Sequence, residues 1–348
     1  MNCDMKRSIS LYSYQDEYYD GKLDLEGCLR ETAKTGATGV ELLAEQMIKK
    51  FPLPIETEEF REQWFGWLEK YHLTPSCYDA FLENRIFDNR TLCLGEQINM
   101  MKRDIRLASL LGFHNLRTLV STPMEVIEGS LAYAQQMDVR IGLEVHAPFS
   151  LNSGWADGYM EMIHRTGTKY FGFIPDMGIF CRNIPDVVRD KARRMGASEA
   201  CIRIVDDSYA ERLAKGFTKI KYDLNLGKAN MEYRMANGMK EMMDAIEQAN
   251  GNDADRWYAN ASFTYSWSDP QDIIDYIFHT HAKFYNMHDD YTETAVAIPE
   301  VIEAFKKAGY KGFLSSEYEG GEHLRDIGVN SIEQVRRHQE ALRAAMEK

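Results

Sequence analysis

Gly36-Ala37-Thr38-Gly39-Val40-Glu41-Leu42-Leu43 reads as the end of a helix, a short connection and a buried strand. Asp24 precedes the helical stretch and Gly36 closes it, because a glycine just past the last turn accepts the left-handed backbone that ends a helix. The apolar run that follows is too short for a helix and long enough for a strand of a parallel sheet. The same grammar returns near the other end, where Lys307-Ala308-Gly309-Tyr310-Lys311-Gly312 leads into Phe313-Leu314. Working outward, strands are predicted at Arg7 to Tyr12, Gly39 to Leu43, Thr74 to Tyr78, Asn115 to Val120, Arg140 to His146, Tyr170 to Asp176, Ala282 to His288 and Gly312 to Glu317. Eight strands separated by helical patterns predict an α/β protein of the closed (β/α)8 TIM barrel type, in preference to a doubly wound open sheet.

The rhythm breaks once. More than a hundred residues separate the sixth and seventh strands, where one helix and its loops ordinarily need about 25 to 30. A helical insertion over approximately 198-260 is therefore expected within a single domain spanning 1-348, with helices at Ser198 to Lys215 and Met231 to Gln248. Met231, Met235, Met239, Met242 and Met243 fall at near-helical spacing and read first as core packing, with a partner-binding face as the other reading.

A hydrophobic fraction of 44% and a charged fraction of 27% suit a globular protein with a full core. The net charge of −13 repels phosphate backbones and anionic membranes, so neither nucleic acid nor membrane is expected as a partner. Six cysteines without paired short spacing read as reduced thiols of a cytoplasmic protein, and the first twenty residues lack the apolar run of a signal peptide.

In a barrel of this kind the reacting groups sit at the C-terminal ends of strands. In the second half those positions are Glu144, Asp176, His288 and Glu317. Three carboxylates and an imidazole from successive strands would form an oxygen-rich site for a divalent cation, and the four are the candidate metal ligands. His279 and His281 lie close to His288 in the chain. His146 stands two residues beyond Glu144, on the same face of the strand, and is the candidate general base. His146, Glu144 and Glu317 are the candidate catalytic residues. Tyr12, Tyr14, Trp155 and Trp267 are candidates for an aromatic wall against a sugar or a planar aglycone.

The Glu, Asp, His, Glu series at strand ends, with Ser8-Ile9-Ser10-Leu11-Tyr12 and Thr38-Gly39-Val40-Glu41-Leu42, resembles the xylose isomerase-like TIM barrel superfamily of sugar phosphate isomerases and epimerases. Ketose 3-epimerases of that group carry a histidine three residues after the second ligand, where this chain has Ile179. They also carry an arginine after the third ligand, where this chain runs Asp289-Asp290-Tyr291-Thr292-Glu293. Glu144-Val145-His146, Pro175-Asp176-Met177-Gly178-Ile179-Phe180 and the long insertion look most like the α subunit of bacterial C-glycoside deglycosidases.

That resemblance implies Mn²⁺ (or another divalent cation such as Mg²⁺ or Co²⁺), a catalytic histidine matching His146, and a small β subunit in a hetero-oligomer. It also implies a carbon-carbon lyase acting on 3-oxo-C-glucosides of plant polyphenols. A 3-keto group acidifies the hydrogen at sugar C2, and expulsion of the C1 substituent follows its removal. The alternative is a metal-dependent keto-sugar isomerase or epimerase, which shares the first step and differs in where the proton returns. A barrel without catalysis that recruits a partner through its insertion is the third reading, against which the full ligand set argues.

Overall fold

All eight predicted segments pair in one parallel sheet in the computed structural model, which describes residues 4–48, 58–147, 149–150, 156–220, 226–269, 275–328 and 330–348. The strands are β1 (Lys6–Ser10), β2 (Gly39–Leu43), β3 (Thr74–Asp79), β4 (Asn115–Thr118), β5 (Arg140–Val145), β6 (Phe171–Pro175), β7 (Thr280–Phe284) and β8 (Phe313–Tyr318). Hydrogen bonding runs from β6 back through β1 and on through β8 to β7. Isolated parallel bridges Phe173–Ile277 and Asp176–His281 join β6 to β7, so the barrel is nearly closed. At that seam a Cβ on Gly172 would lie 2.3 Å from the Tyr276 carbonyl, which is why a glycine stands there.

Register decides what faces the interior. Ser10 pairs with Glu41, Glu41 with Cys77, Asp79 with Arg117, Arg117 with Gly142, and Lys283 with Glu317. Residues two apart on a strand share a face, so these pairings carry one polar layer around the inside of the barrel. The intervening positions, Ile9, Val40, Leu42, Leu116, Ile141 and Leu143, are fully buried outside the sheet.

β7 lies two residues earlier at its start and four at its end than predicted. The backbone N–H of Met287 donates to the Gln334 side chain at 2.7 Å, and that of His288 to Thr292 at 2.9 Å. These residues have left the sheet, and His288 is not a strand-end residue.

Between β6 and β7 the described residues form five α-helices: Asp186–Arg194, Glu199–Lys215, Leu226–Ala236, Met239–Gln248 and Asp253–Ala261. Ser198 caps the second, its side chain accepting from the Cys201 N–H. The predicted helix from Met231 to Gln248 is two helices, because Gly238 adopts φ 84° and turns the chain. The methionine stripe is divided accordingly, with Met231 53% and Met235 50% exposed while Met242 is buried.

Ile202, Val205, Tyr258 and Phe263 of this region share a core with Val188, Ala282 and Leu314, so the helices are packed against the β7–β8 side of the barrel. The five described cysteines are free thiols, while Cys3 lies outside the described residues. Among the described residues no helix is long and apolar enough to cross a membrane.

Candidate metal centre

The C-terminal mouth of the barrel opens into a cavity of about 390 Å³, lined by residues that include Tyr12, Phe81, Arg117, Glu144, His146, Asp176, Lys283 and Glu317. Of the four predicted ligands, the structure brings Glu144, Asp176 and Glu317 to this cavity. It does not bring His288, whose Nε2 lies 2.7 Å from Asp186, the first residue of the helix Asp186–Arg194. The imidazole at the carboxylates is His281, with Nδ1 2.9 Å from Glu144 Oε1 and 3.3 Å from Glu317 Oε1.

Such spacings suit an ion. Oxygen and nitrogen donors about 2.1 Å from a cation at near right angles stand about 3.0 Å apart. Glu144, His281 and Glu317 each offer a donor atom within 4.8 Å of the others. Asp176 is tied to His281 by the bridge across the barrel seam, and its Oδ1 accepts from the Gly178 N–H at 2.7 Å.

A buried network holds this layer from below. His281 Nε2 lies 2.9 Å from Glu41 Oε1, and His279 Nε2 donates to Glu41 Oε2 at 2.5 Å. All three side chains are fully buried. A carboxylate behind a ligating histidine fixes the ring's tautomer and orientation, so Glu41 is the residue that turns His281 Nδ1 toward the carboxylates. Arg117 lies 3.1 Å from Asp79 and 3.4 Å from Glu144.

Charge points the same way. Glu41, Asp79, Glu144, Asp176 and Glu317 are buried carboxylates, set against the guanidinium of Arg117 and the ammonium of Lys283. Burial, which Arg117 only partly offsets, raises the Asp79 carboxyl well above its usual range. Burial also raises Asp176, against the pull of Lys283 and with the help of Glu317 and Glu144. For His281 burial opposes the charge, but Glu317, Glu41 and Glu144 outweigh it and hold the imidazole protonated. Burial works against the charge of Glu41, Glu144 and Glu317, yet His281, with Arg117 at Glu144 and Lys283 at Glu317, lowers all three. Five buried carboxyls sharing so little positive charge fit a divalent cation.

His146 lines the same cavity just beyond β5. Its Nδ1 donates to the Ala147 carbonyl at 2.9 Å. A carbonyl only accepts, so Nδ1 carries a proton, and in the neutral ring the lone pair is on Nε2. Tyr12 lines the cavity, and burial and then Glu319 push its phenol up to about 12. Tyr14 is instead a core residue with no exposure. Trp267 packs under Arg182, 3.4 Å from guanidinium to ring centroid, and Trp155 lies outside the described residues. The aromatic groups at the cavity are Tyr12, Phe81, Tyr265 and Tyr285.

No family model matches the chain. The fold is a (β/α)8 barrel shared with solved structures. It is similar to the crystal structure of a D-psicose 3-epimerase from Clostridium cellulolyticum H10, with a TM-score of 0.53 and 11% identity over 99% of each chain. It is also similar to a sugar phosphate isomerase/epimerase from Parabacteroides distasonis, with a TM-score of 0.52 and 11% identity over 98% of this chain and 94% of that one.

In sequence the resemblance is to a particular protein class. The chain is 27% identical to a C-glycoside deglycosidase alpha subunit of Arthrobacter globiformis, across 97% of this chain and 92% of the relative. It is 25% identical to a 3'-dehydrocarminate deglycosidase alpha subunit from Microbacterium, across 90% of this chain and 87% of the relative.

Proposed function

We propose that the chain is the α subunit of a metal-dependent lyase that cleaves the carbon-carbon glycosidic bond of 3-oxo-C-glucosides of plant polyphenols, in a hetero-oligomer with a small β subunit. The observation that carries this reading is the placing of His146, its Nδ1 engaged by the Ala147 carbonyl, on the wall of the cavity that holds the Glu144, His281 and Glu317 cluster. The likeness to deglycosidase alpha subunits over nearly the whole chain supports it.

Glu144, Asp176, His281 and Glu317 are the side chains that would hold the ion. A bound Mn²⁺ or similar cation supplies Lewis-acid polarisation of the sugar oxygens. His146 Nε2 takes the hydrogen from sugar C2, which the adjacent 3-keto group acidifies. The C–H electron pair forms the C2–C3 double bond, and the carbonyl pair moves to the C3 oxygen. When the carbonyl reforms, the double bond shifts to C1–C2 and the C1–aglycone bond breaks. Its electrons go to the aglycone ring carbon, which takes a proton. Phe81 and Tyr12 line the cavity with aromatic rings, suited to the sugar and to the start of an aromatic aglycone.

The test is aglycone release from a 3-oxo-C-glucoside by the purified assembly, lost on chelation and restored by Mn²⁺. An intact C–C bond with an epimerised or isomerised sugar overturns the lyase reading. Glu41→Gln is expected to weaken Mn²⁺ binding about 10- to 100-fold, because a carboxamide cannot accept from both His279 and His281. Calorimetric titration of the folded variant reads this directly, and unchanged affinity removes Glu41 from the role of positioning His281.

A further inference from the structure

We propose that Lys283 is a second substrate-facing group of this centre. Its ammonium stands against Asp176 while that carboxylate lacks a dication, passes to Glu319 when Asp176 is engaged by one, and then donates a hydrogen bond to the C3 oxygen of the enolised sugar. The inference rests on the reading of the cavity given above.

Lys283 projects from β7 into the cavity with a side chain 10% exposed. Its Nζ contacts Asp176 Oδ2 and lies 3.1 Å from Glu319 Oε1 and 3.7 Å from Glu317 Oε2. One ammonium thus serves two of the carboxylates that suit an ion and a third, Glu319, that sits nearer the mouth with its side chain 29% exposed. A dication and an ammonium compete for Asp176 and Glu317, since each disfavours the other through like charge. Glu319 is the acceptor that keeps the displaced ammonium paired, so the exchange leaves no buried charge alone. Gly178 stands beside the stem, where a Cβ would meet Lys283 Cδ at 3.3 Å and crowd it.

Removal of the C2 proton by His146 leaves negative charge on the C3 oxygen. The cationic side chains that line the cavity among the described residues are Arg117 and Lys283. Arg117 is committed between Asp79 and Glu144. Lys283 is the one whose partner changes, and a desolvated, fixed donor at a developing oxyanion contributes more than it does in water.

Lys283→Met and Lys283→Arg test the proposal through Mn²⁺ titration and through exchange of the C2 hydrogen of a 3-oxo-glucoside with D₂O, followed by NMR. The methionine variant is expected to bind Mn²⁺ roughly tenfold more tightly than the wild type, since no ammonium competes. Its exchange is expected to slow about 10²- to 10³-fold, with part of the rate restored in the arginine variant. Unchanged or weaker Mn²⁺ affinity overturns the hand-over, and an unchanged exchange rate overturns the contact with substrate. If the wild type itself fails to exchange C2 hydrogen, the proposed function falls, and the titration still decides whether Lys283 and the ion compete. Should the methionine variant fail to fold, Lys283→Gln carries the same expectations.

Discussion

Glu317→Ala is expected to abolish Mn²⁺ uptake and turnover together while the barrel stays folded, with Glu144→Ala giving the same result. Both residues stand at the cavity end of the barrel, 3.3 and 2.9 Å from His281 Nδ1, and neither fills the apolar core. Removing either takes a charged donor from the cluster and leaves His281 with one carboxylate instead of two on its Nδ1 side. The loss should exceed the about 10- to 100-fold that an outer partner of a metal ligand costs. Elemental analysis of the purified variants reads it, and a full equivalent of Mn²⁺ in either contradicts the assignment. His288→Ala is the control. With its Nε2 2.7 Å from Asp186 and its ring outside the cavity lining, it should leave Mn²⁺ content unchanged.

His146→Ala is expected to separate the two functions of the site, keeping the metal and losing about 10²- to 10⁴-fold of the rate toward a 3-oxo-C-glucoside, the range a general base supplies. His146 lines the cavity yet is absent from the cluster of close donor atoms, which is why metal and rate should part. A loss below about tenfold makes it a structural histidine, and loss of metal alongside makes it a ligand. Deuterium at sugar C2 adds a kinetic reading, since rate-limiting abstraction there produces a primary isotope effect in the wild type.

The alternation of helix and strand was readable because each strand is a short apolar run bounded by turn residues, and β2 begins and ends where its sequence predicts. The arrival of Glu144, Asp176 and Glu317 at the cavity was readable because each stands at or next to the C-terminal end of its strand. The histidine that stands beside Glu144 and Glu317 is His281, seven residues before the predicted His288. Ala282 to His288 contains enough apolar residues to pass for a strand, whereas the stretch that pairs is Thr280–Phe284.

The signal that identifies it is polar alternation. His279, His281 and Lys283 are separated by Thr280 and Ala282, and a strand buried on both faces carries such residues inward only where the interior is polar. Cys77 and Asp79 on β3, and Ser315 and Glu317 on β8 with Glu319 just past its end, show the same alternation. Glu41, Asp79 and Arg117 escaped notice because each looks like a lone charge in its own strand. Their partners come from strands far away in the chain, and the register of the closed barrel brings them together.

The most direct measurement is anomalous diffraction at the manganese edge from crystals of the Mn²⁺-loaded protein. The account predicts one peak within bonding distance of Glu144, Asp176, His281 and Glu317, with Lys283 turned to Glu319. A peak beside His288 and Asp186 contradicts it, as does the absence of any peak at the mouth of the barrel.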